Sequence, residues 1–86
     1  MEAKKITRSN IGEHLLDYQL EMIGKTRVDI IDAYNWRSDF TMTSMQFVEF
    51  RDYSIHLLQR VFKFNRMKAI STFEFFWTMF GVRVKN

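Results

Sequence analysis

The sequence predicts an all-α fold: three long helices and one short helix, packed as a small orthogonal or bundle-like domain. Three observations carry that expectation. Apolar residues recur at helical spacing in three separate stretches, a capping residue stands at the head of each, and no proline interrupts them. No low-complexity tract, internal repeat or Gly/Ser-rich linker divides the 86 residues. Residues 1–86 are therefore expected as one helical domain, with 1–9 a flexible charged segment ahead of the first helix.

The first helix is expected over residues 11–23. Asn10 with Glu13 three positions on is an N-cap arrangement, and Gly24 after Met22 and Ile23 is a helix stop. Ile11, Leu15, Tyr18 and Met22 share one side, with Leu16, Leu20 and Ile23 adjoining, while Glu13, Asp17 and Glu21 form an acidic back. Residues 26–42 send mixed signals: Val28, Ile30, Tyr34, Trp36, Phe40 and Met42 alternate as in a strand, whereas Thr26 and Asp29 resemble a helix start. A short helix is expected there, because a lone strand would leave its backbone groups unpaired unless residues 81–85 or a neighbouring molecule joined it.

Thr43 and Gln46 form a capping box that opens a central helix over residues 44–64, whose polar positions include Glu49, Asp52, His56, Gln59, Arg60 and Lys63. Asn65 caps the last helix, in which Ala69, Ile70, Phe73, Phe76, Trp77 and Phe80 make the best-defined apolar stripe of the chain. Gly81 is expected as its left-handed stop, with Val82 in the apolar contact that follows. The expected core is Leu16, Leu20, Phe47, Phe50, Leu58, Phe62, Phe73, Phe76, Trp77 and Phe80.

A domain this short buries only about 60 to 65% of the surface its unfolded chain exposes, so its core must be apolar-dense. Nine Phe, three Tyr and two Trp meet that need without a disulfide or structural metal. The lack of cysteine excludes disulfides and thiolate-bound zinc and fits a cytoplasmic location. The N-terminus is charged rather than apolar, so no secretory signal is read there, and the most apolar window, residues 73–82, is about half of what a bilayer span needs. No membrane partner is expected.

The net charge of +3 is unevenly placed. Residues 1–50 hold six Lys or Arg against eight Asp or Glu, net −2, and residues 51–86 hold seven against two, net +5. Such polarity steers a polyanion toward the second half, or mates the acidic and basic faces of neighbouring copies.

Few residues point to chemistry. Gly24-Lys25-Thr26 matches the tail of a phosphate-cradling loop, but the position that must be glycine is Gln19 and a helix, not a strand, precedes it. His14, Asp17 and Glu21 on one helix, and Asp52 and His56 on another, have metal-compatible spacings yet fall on solvated faces, whereas bundle metal sites project inward. With no Cys and no Ser or Thr tied to a histidine and a carboxylate, no enzyme, cofactor, metal or small-molecule substrate is expected.

Binding is the better expectation. Arg60, Lys63, Arg66 and Lys68 form a basic junction with no acid among them, interleaved with Phe62, Phe64 and Met67. In one reading this is a partial helix-turn-helix for nucleic acid: Leu58, Phe62, Phe64 and Ala69 hold two helices together, and Arg66, Met67, Lys68 and Ser71 face a groove. Gln59, where that motif is small, and Lys63, where its turn often has Gly, depart from the pattern. In the other reading, Met67, Phe75 and Met79 form an apolar patch off the main stripe that a second copy or another protein covers, most simply in a two-fold dimer. The acidic row Glu13, Asp17 and Glu21 is then expected to dock on the basic half of the same or another copy. An interaction or self-assembling module is the first expectation and nucleic-acid binding the alternative.

Overall fold

The computed structural model describes residues 5–85. Along the chain run α1 (Ile11–Met22), α2 (Arg27–Asp32), α3 (Trp36–Asp39), β1 (Thr41–Thr43), α4 (Ser44–Phe62), α5 (Arg66–Phe80) and β2 (Arg83–Lys85). Among the described residues helix makes up 69%, and three of the five helices exceed six residues. All-α is nevertheless only a rough description, because β1 and β2 pair as a two-stranded parallel sheet with Thr41 opposite Arg83, Met42 opposite Val84 and Thr43 opposite Lys85. The C-terminal residues thus supply the partner without which a strand near residue 42 would have been untenable. Within 26–42 the single short helix expected is two, α2 and α3, followed by that strand.

Local chemistry explains most boundaries. The Thr43 N–H donates to Gln46 Oε1 at 2.9 Å and the Gln46 N–H donates back to Thr43 Oγ1 at 3.1 Å, closing the capping box of α4. Gln46 Nε2 also donates to the Met22 carbonyl at 3.2 Å, so the head of α4 satisfies the tail of α1. At that tail Lys25 N–H reaches the Leu20 carbonyl, Gly24 N–H reaches the Glu21 carbonyl and Gly24 takes φ +72°, which is a Schellman stop. Asn65 Oδ1 accepts from the Lys68 N–H at 2.9 Å and caps α5.

Four expectations need correction. Asn10 does not cap α1 through its side chain; that amide faces backwards, accepting from the Thr7 N–H and donating to the Lys5 carbonyl, each at 2.8 Å. It thereby fastens part of the N-terminal segment to the helix. Of the segment expected to be flexible, residues 1–4 lie outside the described residues, and Ile6 packs on the core. Second, α4 ends at Phe62, two residues early, where Lys63 turns left-handed at φ 61°, ψ 29°. Third, Gly81 is extended (φ −65°, ψ 137°), not left-handed; it must be glycine because a Cβ there would collide with the Trp77 indole and carbonyl. Fourth, Leu16 is only half-buried, and α1 contributes Ile11, Leu15 and Leu20 instead.

The core gathers where α4 lies against α1 and α5. Phe50, Leu58, Ala69 and Phe73 are buried, and Phe47, Phe62, Phe76, Trp77 and Phe80 pack around them. The Phe50 ring meets those of Phe73 at 5.8 Å and Trp77 at 5.9 Å, while Phe47 meets Trp77 edge-on at 4.8 Å. Against α1, Tyr53 stacks on Tyr18 at 4.1 Å and its hydroxyl bonds His14 Nε2 at 2.6 Å.

One buried polar side chain closes the fold. Gln19, 0% exposed, donates from Nε2 to the Phe80 carbonyl at 3.0 Å and accepts from the Val82 N–H at 3.2 Å. From the other direction Arg37 donates to the Gly81 carbonyl at 2.8 Å and the Trp77 carbonyl at 3.3 Å. The final turn of α5 is thus satisfied by side chains of α1 and α3, and the guanidinium also opposes the negative end of the helix dipole.

Candidate nucleic-acid interface

The basic junction folds as a true turn. Residues 63–65 separate α4 from α5, Leu58 and Ala69 are fully buried on either side, and Phe62 stacks on Phe64 at 5.0 Å. Arg60, Lys63, Arg66, Lys68 and Ser71 are all exposed. Among the described residues none of these cations forms an ion pair; the pairs present are Arg27 with Glu13 and Asp17, and Arg51 with Asp52.

The structure divides the four cations and adds two that the sequence did not single out. Arg60 and Lys63 line a groove of about 640 Å³ between α4 and the N-terminal segment, whose opposite wall carries Lys5 and Arg8. His56 and Tyr53 of α4 also line it, Ile6, Leu57 and Val61 add apolar surface, and among the described residues no carboxylate does. Arg66 lines an adjoining cleft that shares His56 and includes Asp52 and Gln59. Lys68 stands apart, its Nζ 5.1 Å from the Phe64 ring centroid.

Several groove residues are placed by identifiable interactions. The Asn10 amide bonds described above hold residues 5–7, and the Arg8 guanidinium carbon sits 5.3 Å from the Phe62 ring centroid in a cation–π contact. Tyr53 is fixed by Tyr18 and His14; burial chiefly, and then the neighbouring Tyr18, raise its pKa above the ordinary phenol value, with Arg60 opposing. Its hydroxyl therefore stays protonated at neutral pH. Lys63 holds a left-handed conformation that favours glycine, a cost that places a cation where the chain needs only a turn.

Arg27 decides the fate of the acidic face. It grips Asp17 with Nε at 2.7 Å and Nη2 at 2.9 Å, and Glu13 with Nη1 at 3.2 Å. The hydrogen bond to Asp17, then that to Glu13, raise the guanidinium pKa further above its already high value. Two of the three acids expected to dock on the basic half of the same or another copy, Glu13 and Asp17, therefore meet a cation of their own half. Because Glu13 and Asp17 flank Lys5 in the next cleft, their engagement leaves Lys5 without a carboxylate partner among the described residues. Glu21 faces a separate cleft with Tyr18, Met22 and Glu49.

The metal-compatible spacings do not converge. His14 Nε2 is bonded to Tyr53, Asp17 is held by Arg27, and no group of three or more His, Asp or Glu able to hold a metal ion gathers among the described residues. The apolar patch is real as exposure, with Met67 80%, Phe75 61% and Met79 58% open to solvent. No helix among the described residues is long and apolar enough to cross a membrane.

No protein-family model matches this chain, and no curated protein or solved structure matches it either.

Proposed function

We propose that this chain is a non-enzymatic binding module of the cytoplasm whose basic groove takes the phosphate backbone of a nucleic acid. The observation that carries the proposal is the gathering of Lys5, Arg8, Arg60 and Lys63 on the walls of one groove that, among the described residues, has no carboxylate in its lining. Cations left unpaired at a concave surface repel one another unless an anion joins them, and the strained backbone at Lys63 supports a role beyond turning the chain. Contacts to phosphate release counterions, so binding must weaken steeply with salt. With four phosphate contacts the slope of log K against log salt is about −3 to −4, from roughly −0.7 to −0.9 per contact. Fluorescence polarisation of a labelled oligonucleotide across a salt series tests this; no binding at low salt, or binding indifferent to salt, removes the proposal.

A second activity, self-association through Met67, Phe75 and Met79, is favoured by the exposure of those side chains on one long helix. Sedimentation of the parent and of Phe75→Ala with Met79→Ala at high concentration tests it, and a parent that stays monomeric ends it.

A further inference from the structure

Resting on the nucleic-acid proposal, we infer that the groove between residues 5–8 and α4 accepts a single strand, with bases stacked on Arg8 and His56, and that a duplex is not its ligand. The shape decides first. Lys5, Arg8, Arg60 and Lys63 line a concavity of about 640 Å³, within the ordinary range for small-ligand pockets of roughly 300–1,000 Å³. A duplex carries its phosphates on the outside of a convex cylinder and is read by an element that enters its groove. Neither wall here is such an element, because α4 forms one side of the concavity and the other is the segment fastened by Asn10. From Tyr53 to Phe62 the helical wall runs about 14 Å at 1.5 Å per residue, the length of a few nucleotides.

The residue types agree. Non-specific single-strand sites combine a positively charged groove with planar side chains on which bases stack, including Arg guanidinium planes and His rings. Arg8 is steadied over Phe62, itself stacked on Phe64, so the guanidinium is held above an aromatic pair with no carboxylate bound to it among the described residues. His56 is exposed and lines both the groove and the adjoining cleft that holds Arg66 and Asp52. The residues of the alternative duplex surface, Arg66, Lys68 and Ser71, project from α5 outside this groove.

The test compares oligo-dT and oligo-U of about ten nucleotides with a mixed-sequence duplex, on the full chain, at about 50 mM salt where one lost single-strand phosphate contact costs roughly tenfold. Three proteins are used: the parent, Arg8→Glu with Lys63→Glu, and Arg66→Glu with Lys68→Glu. Single-strand preference that falls about a hundredfold in the Arg8/Lys63 variant, and far less in the Arg66/Lys68 variant, upholds the inference. His56→Ala, which leaves the four cations in place, is expected to weaken single strands several-fold or more while barely changing binding of inorganic polyphosphate. Duplex preference lost only with Arg66 and Lys68 overturns the groove while leaving nucleic-acid binding intact. Absence of binding to every oligonucleotide defeats the underlying proposal itself. Circular dichroism of each variant confirms that it is folded, and Arg8→Gln with Lys63→Gln, which should lose binding to a smaller degree, stands in should the reversal variant fail to fold.

Discussion

Replacing Gln19 with Leu tests whether one buried amide holds the C-terminal strand in place. The parent side chain is fully buried and bridges the Phe80 carbonyl and the Val82 N–H. Leucine fits the space but leaves the buried Val82 donor unpaired, a loss of about 1–3 kcal/mol. The half-buried Phe80 carbonyl adds about 0.5–1 kcal/mol, and the extra apolar surface of leucine returns about 1 kcal/mol. The net cost is about 0.5–3 kcal/mol, a sizeable share of the roughly 4–13 kcal/mol expected for a domain of this size. Urea denaturation followed by circular dichroism should show a lower midpoint with an unchanged slope. Gln19→Glu sharpens the test: its carboxylate can accept from Val82 but cannot donate to Phe80. Burial and the facing carbonyl raise the folded-state pKa of that Glu above its unfolded value of about 4.3. Its deficit relative to the parent should be smallest below about pH 4 and grow as pH rises through the raised value, as the unfolded state loses its proton more readily. A Gln19→Leu protein as stable as the parent, or more stable, would refute the clamp.

Other expected outcomes follow from the same geometry. Lys63→Gly relieves left-handed strain and should stabilise the fold by about 0.5–1 kcal/mol while weakening oligonucleotide binding, a divergence visible by measuring both on one sample. Tyr53→Phe loses the His14 hydrogen bond, costing about 0.5–1.5 kcal/mol in denaturant titrations. Because the Tyr53 pKa is raised on folding, the parent should lose stability as pH climbs past about 10, and the phenylalanine variant should lose less. Arg27→Ala removes exposed ion pairs worth about 0–1 kcal/mol, yet frees Glu13 and Asp17 to compete for Lys5, so oligonucleotide affinity should fall measurably with little change in melting temperature.

What could be read from the sequence was local. Thr43 with Gln46, Asn65 and Gly24 act within a few residues of themselves, so their capping and stopping roles follow from residue type and spacing alone. The Ile11, Leu15, Tyr18 and Met22 stripe and the stripe of α5 likewise face the core, since helical periodicity fixes which side is buried. Partners distant in sequence were not legible. Nothing local announces that Asn10 abandons its helix to hold Lys5 and Thr7, or that this brings Lys5 and Arg8 across from Arg60 and Lys63. Gln19 had a detectable signal: it lies four residues after Leu15 and eight after Ile11, a polar amide on an apolar stripe, which is where a buried hydrogen-bonding role belongs. Lys63 also carried one, since it occupies the turn position that favours glycine and adopts the conformation glycine favours.

The most direct test of a strand-binding groove is an amide chemical-shift titration of the labelled protein with a short oligo-dT. The shifts should concentrate at residues 5–8 and 53–63, with the exposed end of α5 around Phe75 and Met79 unmoved. Shifts confined to residues 66–71, or none at saturating oligonucleotide, would contradict the account.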